Sequence, residues 1–231
     1  MPKVSEKSET LNETARKARI FIVDDHSIVR SGLQRIIDEQ PDMEVAGEAD
    51  NGLSALEGIK STRPDLALID ISLKGMDGLE LIKHARSLYP SLVVLVLSMH
   101  DELLYAERAI RAGAVGYMMK EEAAENIVPV LRKILRGESY LSEKMHNHLV
   151  KRIAGKAGKA GASPLRHLSD RELEIFNLLG QGRRIQKIAE DLSISVKTVE
   201  THCAHLRKKL DRKGSVELMQ FAIRWFHTHG T

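Results

Sequence analysis

The strongest constraint on the fold of this chain is a fivefold alternation, starting at Arg19, of short apolar runs with amphipathic stretches. RIFIVDD, MEVAGEA, LALID, LVVLVLS and VGYMMK read as strands. Several are apolar at consecutive positions, as strands covered on both faces must be. Helical periodicity falls between and after them, near Ser27–Glu39, Gly52–Thr62, Leu79–Tyr89, Leu103–Ala112 and Ala123–Arg136. Strand then helix, five times over, predicts an α/β doubly wound parallel five-stranded sheet. In such a sheet chemistry collects in the crevice outside the carboxyl ends of the strands.

Those ends carry polar groups that a packed strand has no use for. Asp24 and Asp25 follow FIV, Asp70 follows LALI, Ser98 follows VLVL and Lys120 follows YMM. In a parallel sheet all of them emerge on one edge. Three carboxylates brought together repel unless a hard cation sits among them, and an oxygen donor set suits Mg²⁺. A lysine ammonium and a serine hydroxyl beside that cation can stabilise a phosphoryl group moving to a carboxylate nucleophile. The expected chemistry is phosphoryl transfer onto an aspartate.

Beyond Gly137 the character of the chain changes. Residues 1–137 hold 18 Lys and Arg against 22 Asp and Glu, a net −4; residues 138–231 hold 17 against 10, a net +7. A basic half is the electrostatic footprint of a nucleic-acid binder, because each phosphate contact releases a condensed counterion. Leu141, Met145, Leu149 and Ile153 recur every four residues and predict a connecting helix, which runs into KAGKAGASP, a composition suited to a mobile hinge. From about Leu165 the pattern is all helical. Ser169 and Glu172 form a capping box, and IQKIAEDLSISVKTVETHCAHLRKKL reads as helix, short turn at Ser193–Ser195, and second helix with Ser195 as N-cap.

On that second helix Val199, Cys203, Leu206 and Leu210 form one narrow apolar stripe for the core. Lys197, Thr201, Ala204 and Lys208 fall on the other side, flanked by Glu200 and His205, and with Thr198 they form the candidate set for the major groove. Glu200 is discordant on a face meant for a polyanion; accepting from a cytosine amino group or orienting Arg207 or Lys197 would reconcile it. The last helix, SVELMQFAIRWF, offers Val216, Met219 and Ile223 as a candidate dimer surface.

IVDDHSIVRSGL, PDLALIDISLKGMDGLEL, VLVLSMH and AGAVGYMMKE resemble the motifs of two-component receiver domains over residues 19–137. LSDRELEIFNLLGQG, IAEDLSISVKTVETH and RKKL resemble the LuxR-type helix-turn-helix over about residues 166–227. Together they resemble the NarL/FixJ subfamily of response regulators, whose receiver is flavodoxin-like. The resemblance implies that Asp70 is the phosphoacceptor. Asp25 and the backbone carbonyl of Ser72 would bind Mg²⁺, with Asp24 assisting. Ser98 and Lys120 would contact the phosphoryl oxygens, and the Tyr117 rotamer would report the state of the site. It also implies a cognate sensor histidine kinase, promoter DNA, homodimerisation once phosphorylated and contact with RNA polymerase. Departures lie at Lys74, where proline is common, at Arg183–Lys187 and at Cys203, commonly arginine. Met99 and His100 flank the route by which water would reach an acyl phosphate.

The expected organisation is a disordered tail (1–18), receiver (19–137), linker (138–164) and DNA-binding domain (165–231). An aspartate-nucleophile phosphatase would want a second acid two residues after the nucleophile, where this chain has Ser72. A scaffold receiver indifferent to phosphorylation stays open, with the full set of pocket residues arguing against it, and a phosphorelay protein without a DNA function is disfavoured by the second motif set. A single cysteine excludes an internal disulfide and a cysteine zinc cluster. The polar N-terminal residues and the lack of an apolar run of roughly 18 residues predict a cytoplasmic protein without a membrane span. The expected mechanism is a receiver that occludes the recognition helix until phosphorylated.

Overall fold

The computed structural model describes residues 16–73, 75–153 and 163–229. Lys74, the tail before Arg16 and most of the KAGKAGASP stretch lie outside the described residues. The first half alternates as its hydrophobic pattern dictates: β1 (Ala18–Val23), α1 (Ser27–Asp38), β2 (Met43–Ala49), α2 (Gly52–Thr62), β3 (Leu66–Ile69), α3 (Gly78–Leu88), β4 (Val93–Ser98), α4 (Glu102–Ala112), β5 (Gly116–Met119) and α5 (Lys120–Leu135). All strand pairs are parallel and the order is β2-β1-β3-β4-β5. β3 is buried at every position and β4 at all but Val93, which is why neither alternates in sequence.

Two apolar layers sandwich the sheet. One holds Ile20, Ile22, Leu68, Leu95 and Leu97 against Leu33, Ile37, Ile127 and Leu131; the other holds Phe21, Val23, Ala67, Ile69, Val94 and Val96 against Ile59, Leu81, Ile82 and Ala109. Alternate residues of β1, β3 and β4 therefore feed opposite faces. Register places Val23 beside Ile69 and Ile69 beside Val96, so the residues that follow β1 and β3 emerge side by side.

Helix starts are chemically marked. Asn51, Asp77 and Asp101 accept hydrogen bonds from the first free amides of α2, α3 and α4. After α5, Tyr140 returns to the edge of the sheet: its amide donates to Val115 O (3.3 Å) and its carbonyl accepts from Tyr117 N (3.0 Å). The expected connecting helix is α6 (Glu143–Ile153). It packs on α4, with Met145 buried, Leu141 and Leu149 partly buried, and Ser142 Oγ donating to the buried Glu102 carboxylate at 2.7 Å. The side chain of Ile153 lies outside the described residues.

A 3-10 turn (Pro164–His167) leads into α7 (Asp170–Gly180), α8 (Ile185–Asp191), α9 (Val196–Lys209) and α10 (Ser215–His229). The capping box is present, with Ser169 Oγ accepting from Glu172 N and Glu172 Oε2 accepting from Ser169 N. Leu173, Phe176, Ile188, Val199, Leu206, Leu218 and Ala222 close this small core. Among the described residues no helix is long and apolar enough to cross a membrane.

The start of α3 yields two predictions. A Cβ on Gly78 would sit 2.1 Å from Asp70 O and 2.6 Å from Ile71 Cα, both backbone. Gly78→Ala is expected to lower stability by about 1–3 kcal/mol, read from thermal unfolding, because the strand-end loop carrying Asp70 must move. Beside it, burial and the negative charges of Glu174 and Asp170 push Asp77 up to about 7, against the Leu79 amide and Arg171. The folded chain thus keeps a proton that the unfolded chain, titrating near 3.8, has released. The associated stability is full below that value and is lost as pH rises through 7. Asp77→Asn keeps the cap acceptor, so urea denaturation should show it level with wild type near pH 4 and more stable by about 1 kcal/mol or more at pH 8.

Candidate functional site

Asp24, Asp25, His26 and Asp70 offer ligand atoms that all lie within 4.8 Å of one another. Asp24 and Asp70 are buried, each 2% exposed. Lys120, first residue of α5, reaches back between them: its Nζ is 2.6 Å from Asp24 Oδ2 and 2.8 Å from Asp70 Oδ2. Burial works against the charge of Lys120, but the two carboxylates outweigh it and hold its pKa up. Burial raises Asp70, helped by the charge of Asp24 and opposed by Lys120. Asp70 Oδ1 is buried and, among the described residues, has no hydrogen-bond partner. A carboxylate oxygen in that state is available for a new bond, either to a cation or to an electrophile.

His26 joins the cluster from the N-cap of α1. Its ring Nδ1 lies 2.7 Å from Asp25 Oδ1 and 3.2 Å from Asp24 Oδ1. The sequence signal was present in the contiguous Asp24-Asp25-His26, though acids alone suggested the cation site. The donor set is dominated by carboxylate oxygens, which fits a hard divalent cation such as Mg²⁺.

Ser98 is fully buried and its Oγ accepts from the His100 amide at 3.2 Å. Tyr117 is also buried, its hydroxyl donating to His100 O at 2.7 Å. Burial pushes the phenol well above its ordinary pKa, so it stays a neutral donor. Met99 is exposed, whereas His100 is half-buried with Nε2 2.7 Å from Ser72 Oγ. Burial and then the Lys120 charge pull His100 down to about 4, so its ring is neutral at pH 7. The sequence placed Ser72 here only for its carbonyl; the side-chain link to His100 spans 28 positions and left no periodic trace.

In the second domain Val199, Cys203, Leu206 and Leu210 are buried as the helical wheel predicts, and Lys197, Thr198, Glu200, Thr201, Ala204, His205 and Lys208 are all exposed. Ser195 Oγ caps α9 at Thr198 N, 3.0 Å away, and Ser193 takes the left-handed conformation (φ 51°) that turns α8 into α9. His202 is half-buried beside the stripe, as a packing role requires. Among the described residues Glu200 forms no ion pair with Arg207 or Lys197; Arg207 instead reaches Ser215 Oγ. The α9 side chains expected to meet DNA are open to solvent with the two domains packed together. On α10, Val216 is 72% exposed and Met219 and Ile223 are half-buried, while Leu218 and Ala222 supply the core contacts.

The domains meet elsewhere. Asp170 at the start of α7 accepts from Lys83 on α3 and Arg108 on α4, each at 2.9 Å. Asn177 Nδ2 donates to Tyr105 Oη at 2.8 Å. Sequence reasoning found none of these, because each joins positions more than 60 residues apart.

Comparison with known proteins agrees with this geometry. Residues 20–132 match the response regulator receiver domain and residues 166–222 match the bacterial regulatory proteins of the luxR family. The chain is 36% identical over 210 residues to the oxygen regulatory protein NreC of Staphylococcus carnosus (strain TM300), covering 89% of this chain and 97% of that one. A LuxR-family two-component response regulator from Aurantimonas sp. SI85-9A1 superposes with a TM-score of 0.56 at 32% identity, over 60% of this chain and 99% of that one. RcsB from Salmonella enterica serovar Typhimurium, bound to promoter rprA in the presence of phosphomimetic BeF3-, shares the fold with a TM-score of 0.63 at 24% identity, over 90% of this chain and 99% of that one. The buried Lys120–Asp24–Asp70 cluster thus sits in a receiver joined to a LuxR-type helix-turn-helix, and the chain belongs to the two-component response regulators of the NarL/FixJ type, DNA-binding regulators of transcription.

Proposed function

We propose that Asp70 accepts a phosphoryl group from a sensor histidine kinase or a small phosphodonor, and that this modification controls how the DNA-binding domain pairs and binds promoter DNA in the cytoplasm. The observation that carries the reading is Asp70 itself: one oxygen held by Lys120, the other buried and without a hydrogen-bond partner among the described residues. In the transfer an Asp70 oxygen forms a bond to phosphorus, the phosphorus–nitrogen bond to the donor imidazole breaks, and the leaving nitrogen takes a proton. Lys120 turns its ammonium to the incoming phosphoryl oxygens, and the Ser98 hydroxyl donates to another. Asp24, Asp25 and the Ser72 carbonyl would hold Mg²⁺, which when bound neutralises charge on the transferring group.

Once Ser98 turns to the phosphoryl group it stops accepting from His100 N, and the loop carrying the Tyr117 contact is free to shift. Phosphorylation then favours a second receiver conformation. Because the recognition face is exposed already, the gain in DNA affinity comes from pairing two copies on adjacent half-sites, with Val216, Met219 and Ile223 as the proposed α10 contact and RNA polymerase as a downstream partner. Lys197 and Lys208 reach phosphates; Thr198, Glu200, Thr201, Ala204 and His205 meet base edges.

Fluorescence anisotropy on genomic promoter fragments at fixed salt tests this. Beryllofluoride should tighten binding by about tenfold or more in wild type and leave Asp70→Ala unchanged; equal binding in all four conditions would demote the receiver to a scaffold. Lys197→Ala should weaken binding to all fragments alike and lower the slope of log affinity against log salt by about one.

A further inference from the structure

The mouth of the Asp70 pocket is shared between domains. Asp25, Asp70 and His100 wall it from the receiver, and Glu174, Asn177 and Arg183 wall it from α7 and the loop after it, enclosing about 440 Å³. Asp170 fixes one end of α7 through its two ion pairs, and Arg108 donates further to Leu165 O at 3.2 Å. Asn177 fixes the middle of α7 through Tyr105, a buried side chain whose ring stacks on His100 with centroids 4.7 Å apart. Asn177 thus joins α7 to a ring that stacks on the same histidine whose Nε2 meets Ser72 Oγ.

We infer that α7 is a size-selective gate on Asp70. A donor the size of phosphoramidate fits the cavity with the domains together. A phosphohistidine carried on a helix, itself about 10 Å across with its side chains, cannot bring its ring to Asp70 until α7 lifts. Transfer from a protein donor therefore draws on the open fraction of the molecule, and its apparent rate scales with that fraction. The inference rests on Asp70 as phosphoacceptor. It differs from occlusion of the recognition helix, which is exposed here: the closed state restricts who may phosphorylate the chain, not what the helix may touch.

The test uses the full chain as wild type, Asp170→Asn, Asn177→Ala and the double variant. Each is phosphorylated either by phosphoramidate or by a histidine-phosphotransfer domain loaded in advance on its histidine, and labelling is followed by mass spectrometry. The protein-donor rate is expected to rise about tenfold in each single variant while the phosphoramidate rate changes by less than about twofold, the unchanged small-donor rate also reporting an intact receiver. A constant ratio between the two rates across all chains overturns the gate. If neither donor labels any chain, the reading of Asp70 fails separately, and amide hydrogen exchange over residues 98–105 decides the gate: faster exchange in the variants upholds it and equal exchange overturns it.

Discussion

A single ammonium group, Lys120 Nζ, lies between two carboxylates that are almost wholly withdrawn from water. Two buried acids on neighbouring strand ends would otherwise repel at low local dielectric. The lysine makes their approach tolerable, and it is placed by the junction of β5 with α5 rather than by a loop. Loss of Lys120 would leave two buried carboxylates uncompensated, a cost of roughly 3–5 kcal/mol. Stability and chemistry therefore draw on the same three side chains, and the site is held ready by electrostatics that a bound cation or phosphoryl group would rearrange.

Much of the receiver was legible because its signals are local. Strands covered on both faces read as apolar runs, and the residue after each run is the one the sheet delivers to the reactive edge. Asp24, Asp70, Ser98 and Lys120 are legible in this way from the sequence. The stripe of Val199, Cys203, Leu206 and Leu210 was equally plain, since a helix on a small core has one buried side and leaves the rest to its ligand. The illegible parts are non-local. Nothing near Tyr105 in sequence announces Asn177, and nothing around Asp170 announces Lys83 and Arg108. His100 stood out as a neighbour of Ser98, but its bond to Ser72 depends on how two loops meet.

The packed arrangement also changes the meaning of the basic half of the chain. Charge alone marks it as a DNA binder, and α9 exposes Lys197 and Lys208. Yet the face of the same domain that meets the receiver mixes signs: Asp170 pairs with Lys83 and Arg108, Arg166 pairs with Glu107, and Glu174 and Arg183 both line the shared cavity.

The return of Tyr140 to the sheet gives the tether between the domains an unexpected anchorage. Its carbonyl accepts from the backbone amide of Tyr117, the residue whose hydroxyl already grips the loop after β4. Between this rung and the DNA-binding domain lies α6, docked on α4 through Met145 and the Ser142–Glu102 bond, so the tether grips the receiver at two separate places and a pull on it would meet α4 before β5.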